Sequence, residues 1–139
     1  MYYITTEAHF DSAHFLKGYE GKCSNIHGHR WKIVVKIESE TLKQQGQCRG
    51  MITDFSDIKN TLKGLADSLD HKLIYEKGSL KEKTIEALKE ENFLMVEVDF
   101  RPTAEEFSKY FFDKMSELNF PVKSVIVYET PTNYAIYEK

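Results

Sequence analysis

Cysteine is scarce, with two in 139 residues. That number makes no disulfide framework in a chain of this size, and a reducing compartment is the expectation. Long hydrophobic runs are missing as well. No stretch approaches the roughly 18 apolar residues that a membrane span needs. The opening residues, MYYITTEAHF, carry no basic region followed by an apolar stretch, so no secretory leader is expected and a cytoplasmic location is. Neither sign of charge dominates: 19 Lys and Arg stand against 22 Asp and Glu. With the signs interspersed, no surface for nucleic acid is indicated, and the Lys-rich stretches read as solvated faces. There is no repeat, low-complexity segment or linker, and the length fits one domain spanning 1–139.

What is present suffices for a compact core: 41% hydrophobic and 13% aromatic residues. Residues 2–14 (YYITTEAHFDSAH) are β-branched and aromatic and read as a strand. Residues 29–39 (HRWKIVVKIES) are the clearest strand. Trp31, Ile33, Val35 and Ile37 alternate there with Arg30, Lys32, Lys36 and Glu38. The polar segment 43–50 is expected to turn, and MITDF to return as a short strand. A helix is expected from an N-cap at Ser56, with Ile58, Leu62, Leu65, Ala66 and Leu69 on one face. Residues 79–92 read as a second, charged helix, and FLMVEVDF as a strand. Thr103 with Glu106 fits a capping box, opening a helix whose stripe is Phe107, Phe111, Met115 and Leu118. VKSVIVYE and NYAIYEK close the chain as strands. Hairpin-joined strands with helices grouped argue for an α+β fold, an antiparallel sheet with helices packed on one face.

His27 and His29 are two apart on a strand, so both point to the face of Trp31, Ile33 and Val35. Such a pair is either two imidazoles offered to one metal or two polar residues at a strand end. Gly28 between them would let another group approach the backbone. His14 ends the first strand and reaches the same place if the two strands pair through residues 15–26. Three neutral imidazoles with an open position form a catalytic zinc arrangement rather than a closed structural one. Other first-row metals also suit imidazole, and zinc (Zn2+) is the default. His9 has the opposite parity and reads as a structural or surface residue.

Cys23 leaves three readings open: a fourth zinc ligand, a thiol held near the metal as base or nucleophile, or a buried inert thiol. Asp70–His71 is either a plain helix terminus or a carboxylate–imidazole pair that relays a proton. Glu129 sits among Val125, Ile126, Val127 and Tyr128. It is either an exposed strand-end residue or a buried acceptor for a ligand with paired N–H donors.

Taken in order, FDSAH, CSNIHGH, MITDF, LDH, PTAEE and VYET resemble the 6-pyruvoyltetrahydropterin synthase / 6-carboxytetrahydropterin synthase family. The resemblance spans nearly the whole chain. It implies the tunnelling fold, with a four-stranded antiparallel sheet, subunits that oligomerise into trimeric barrels or stacked hexamers, and sites between subunits. It implies that His14, His27 and His29 hold zinc, that Cys23 is the catalytic base, and that Asp70 with His71 relays protons. Glu129 would anchor the pterin ring, and Thr103 and Glu105 would border its pocket, with the backbone there mattering more than the side chains. The spacing C-x3-H-G-H resembles the bacterial 6-carboxytetrahydropterin synthases of the queuosine route more than the animal pyruvoyl enzymes. Residues 77–99 depart from the short bacterial pattern as an insertion.

The implied chemistry is a zinc-dependent lyase. It converts 7,8-dihydroneopterin triphosphate to 6-carboxy-5,6,7,8-tetrahydropterin, acetaldehyde and triphosphate. Three alternatives stand beside it: pyruvoyl formation from the same substrate, a zinc hydrolase activating water, and a non-catalytic pterin-binding or assembly protein.

Overall fold

A computed structural model describes residues 1–139. Six strands and three α-helices follow in the order β1 (Tyr2–His14), β2 (His27–Ser39), α1 (Phe55–Asp67), β3 (Leu73–Glu76), α2 (Glu82–Glu90), β4 (Met95–Val98), α3 (Ala104–Glu117), β5 (Val122–Tyr128) and β6 (Tyr134–Glu138). One sheet has the order β4-β3-β1-β2-β5-β6. The α+β class holds, while the strand count is six rather than four and the sheet is mixed. β1–β2, β2–β5 and β5–β6 are antiparallel, but β1–β3 and β3–β4 are parallel.

The parallel part has a simple cause. β3, α2 and β4 form a strand–helix–strand unit, which returns the chain in the same direction. The segment 77–99 therefore adds both a helix and an edge strand to the sheet. LIYE is only four residues long, too short to register as a period in the sequence. MITDF is not a strand. Both sides of β2 are taken, by β1 and β5, so a third strand has no edge there to join. Asp54 instead caps α1, its carboxylate accepting from the Ser56 N–H at 2.8 Å; the N-cap is Asp54 rather than Ser56.

One face of the sheet carries the core. Phe10, Trp31, Ile33, Val35, Ile37, Val125 and Val127 meet Ile58, Leu62 and Ala66 of α1 and Phe107, Phe111 and Met115 of α3. Burying each large apolar side chain there contributes about 1.5–3 kcal/mol. Leu118, expected on the α3 stripe, is half exposed because the helix has already ended at Glu117. Phe10 and Trp31 stack at 5.8 Å, and Phe107 meets Trp31 edge-on at 5.0 Å. α2 buries no residue fully, and Phe93 and Leu94 after it are exposed.

Candidate metal centre

β1 and β2 pair in unbroken register along their whole length, from Tyr2 opposite Ser39 to His14 opposite His27. This register brings the histidines together. Ser12 lies opposite His29 and Phe10 opposite Trp31, so His14, His27 and His29 continue the core face beyond its aromatic floor. One nitrogen from each lies within 4.8 Å of the others.

Two of the rings are already oriented. His14 Nδ1 donates to the Pro102 carbonyl at 2.7 Å, and His27 Nδ1 donates to the Asn25 carbonyl at 2.7 Å. With Nδ1 carrying the hydrogen, each neutral ring presents a bare lone pair on Nε2. These two Nε2 atoms face each other at 3.1 Å, an arrangement that only a shared proton or cation relieves. His29 Nε2 is buried and has no hydrogen-bond partner. A tetrahedral ion with bonds of about 2.0–2.1 Å holds its imidazole nitrogens roughly 3.3 Å apart. The three rings therefore fit a metal, and carbonyl-oriented imidazoles are the usual support for one.

The electrostatics agree. Burial pushes the His14 imidazole down to about 4, more than its bond to Pro102 and the neighbouring rings alter it. His29 is also held below its ordinary value, chiefly by burial, with Glu129 opposing and His27 adding to the shift. Neutral imidazole is the form that ligates. Glu129 Oε1 stands 3.6 Å from His29 Nε2. The carboxylate thus borders the histidines. A cavity of about 380 Å3 runs from Glu129 and His29 to Arg30, Lys32 and Tyr128.

Asp70 and His71 form a separate unit. His71 Nδ1 and Asp70 Oδ2 are 2.6 Å apart. The other carboxylate oxygen accepts from the Asp11 N–H at 2.8 Å, and the His71 N–H donates to the Asp11 carbonyl at 2.6 Å. His71 has φ 56, a left-handed conformation uncommon outside glycine, and this double clamp to β1 holds it there. The Asp11 N–H, then His71, keeps the Asp70 carboxyl below the usual range; Asp70 in turn raises His71. His71 and His29 both line a cavity of about 640 Å3.

Cys23 lies half-buried in a short 3-10 turn (Lys22–Ser24), and its sulfur is not among the converging ligand atoms. Its carbonyl accepts from the Leu16 N–H at 2.9 Å. Thr103 caps α3, its hydroxyl accepting from the Glu106 N–H at 3.3 Å, and Glu105 points to solvent. Gly28 is not sterically required, since an added Cβ would meet the Ser12 carbonyl at an ordinary 3.7 Å. His9 is exposed, opposite Lys32. The residues that sequence reasoning missed are Pro102, Asn25 and Asp11. They act through backbone atoms, which leave no side-chain signal.

The profile of the family described as 6-pyruvoyl tetrahydropterin synthase matches residues 3–139. The chain belongs to that family. Among similar proteins, one from Haemophilus influenzae named 6-carboxy-5,6,7,8-tetrahydropterin synthase is 36% identical over 142 aligned residues, covering 100% of both chains. Another from Aquifex aeolicus, of the same name, is 33% identical over 85% of this chain and 76% of its own. Solved structures share the fold of this synthase family. An uncharacterized protein from Wolinella succinogenes matches with a TM-score of 0.79 at 22% identity, over 99% and 98% of the two chains. The Caenorhabditis elegans 6-pyruvoyl tetrahydropterin synthase matches with a TM-score of 0.67 at 24% identity, over 100% and 97%. No helix is long and apolar enough to cross a membrane.

Proposed function

We propose that this chain is a 6-carboxytetrahydropterin synthase, a zinc-dependent carbon–carbon lyase of queuosine biosynthesis. It takes 7,8-dihydroneopterin triphosphate and water to 6-carboxy-5,6,7,8-tetrahydropterin, acetaldehyde and triphosphate. The observation that carries the reading is the convergence of three bare imidazole nitrogens beside Glu129 in a member of this family. The name shared by its relatives selects the carboxy product.

His14, His27 and His29 hold the zinc, which when bound supplies Lewis acidity to the substrate's side-chain oxygens. Glu129 accepts the paired N–H donors of the pterin and fixes the ring over the site. Cys23 takes the proton from the activated carbon, and His71, supported by Asp70, passes protons on. The segment around Thr103 and Glu105 borders the pterin pocket, with its backbone and cap shaping the wall. The chain works as one domain with an insertion at about 77–99, as a homo-oligomer (trimer or hexamer) in the cytoplasm. The outer edges of β4 and β6 support assembly, because unpaired strand edges are usually covered.

Zinc-loaded protein incubated with dihydroneopterin triphosphate tests the proposal, with mass analysis of the pterin and an acetaldehyde assay. Carboxytetrahydropterin with acetaldehyde is the expected result. A pyruvoyl product without acetaldehyde would assign the reaction that the family's own description names. Binding without conversion would leave a pterin-binding protein.

A further inference from the structure

The single tryptophan of the chain lies beneath the histidines. Trp31 is 0% exposed, and its ring stands edge-on to His14 at 5.0 Å and to His29 at 5.4 Å between centroids. An indole N–H can only donate, and Trp31 Nε1 is buried without a hydrogen-bond partner. Such orphans are uncommon in native cores because leaving a buried donor unpaired is costly. The rings of Phe10 and Phe107 offer no conventional acceptor. His14 Nδ1 donates to Pro102, and its Nε2 lone pair is directed at His27 Nε2, 3.1 Å away.

An acceptor stands across the ladder. Lys32 pairs with Tyr128, so the next step toward the site sets Trp31 opposite Glu129, with His29 on the diagonal. On the ladder Glu129 thus stands across from Trp31, while its carboxylate is turned to His29 Nε2, 3.6 Å away. That nitrogen is also the one a metal would take.

We propose that Trp31 is a positioning residue for Glu129. When a metal engages His29 Nε2, the carboxylate turns to the Trp31 indole N–H, which holds it ready for the pterin's donors. The inference rests on the reading of Glu129 as the pterin anchor. It makes metal and pterin binding mutually strengthening, since whatever frees the carboxylate for one ligand favours the other.

A 15N-labelled sample gives one indole N–H resonance. Titrating metal-free protein with Zn2+ is expected to move that proton downfield. In Glu129→Ala the movement should be largely lost, with zinc uptake unchanged. A resonance that stays in place as zinc binds, one that moves equally in Glu129→Ala, or a chain that takes up no zinc overturns the proposal. Replacing Trp31 by benzothienylalanine keeps the ring and removes only the N–H. The KM for dihydroneopterin triphosphate should then rise roughly tenfold with kcat held, the loss expected for one hydrogen bond to a charged group. An unchanged KM also overturns it. If the unaltered chain turns over no dihydroneopterin triphosphate while the resonance behaves as expected, the activity reading fails and the Trp31–Glu129 link stands.

Discussion

His14 and His71 both attach to the end of β1, yet their surroundings drive them in opposite directions. His14 is on the core face and 1% exposed, and burial pushes its imidazole down to about 4. The His71 side chain is 77% exposed, and the Asp70 carboxylate raises it. Desolvation penalises the charged ring in the first case, and an adjacent anion favours it in the second. The same residue type is thus held neutral in one place, the form that can ligate a metal, and favoured in its protonated form in the other. Which state results depends on burial against the core for one ring and on a single carboxylate for the other.

The largest effect should come from the buried side of this contrast. His29→Ala is expected to weaken zinc binding by more than about 100-fold, beyond the usual cost of losing a supporting residue. Metal analysis after dialysis checks it, and retained stoichiometric zinc would remove His29 from the ligand set. Next, Cys23→Ala should keep zinc and fold while lowering kcat about 10²- to 10⁴-fold. Full turnover in that variant would take Cys23 out of the base role.

The third prediction uses pH on metal-free protein. His14 binds a proton less readily folded than unfolded, so the unfolded chain holds more protons between about 4 and its ordinary value of 6.5. Stability must then rise with pH across that window, by on the order of 3 kcal/mol from this residue. Denaturant melts at several pH values measure it, and a flat profile would contradict the burial of a neutral ring.

Asp70→Asn acts on the other side of the comparison. It removes the cause of the raised His71, so the His71 limb of the pH–rate profile should move to lower pH. The stabilisation from this pair is fully present below 6.5 and lost as pH rises through the raised value, and the variant should abolish that loss. An unmoved limb would separate His71 from proton transfer. The smallest effect is expected from Thr103→Ala, about 1 kcal/mol of stability through the lost helix cap, read by thermal melting.

Much of the site was legible because strand alternation is a local property. The spacing of His27 and His29, the alternation from Trp31 to Ile37, and the parity of Glu129 with Val127 each follow from a period of two. The helix cap at Thr103 was equally local, although only half of the box forms: the Thr103 N–H donates to the Arg101 carbonyl at 2.7 Å rather than to Glu106. MITDF, expected as a strand, stays outside the sheet because joining one depends on a free edge, and β2 has none left. β3 leaves no local signal, because it is four residues long and its partners, β1 and β4, lie elsewhere in the chain.

By itself, then, the sequence determined the residues that share a face and the helices that cover it, since side-chain periodicity and capping depend only on near neighbours. Tertiary structure alone decided the six-stranded mixed order and the Pro102 and Asn25 carbonyls that orient two imidazoles. It alone placed Asp70–His71 against Asp11 and left the Trp31 indole without a partner. These features join backbone atoms and rings across long stretches of chain, and only packing brings such groups within hydrogen-bond distance.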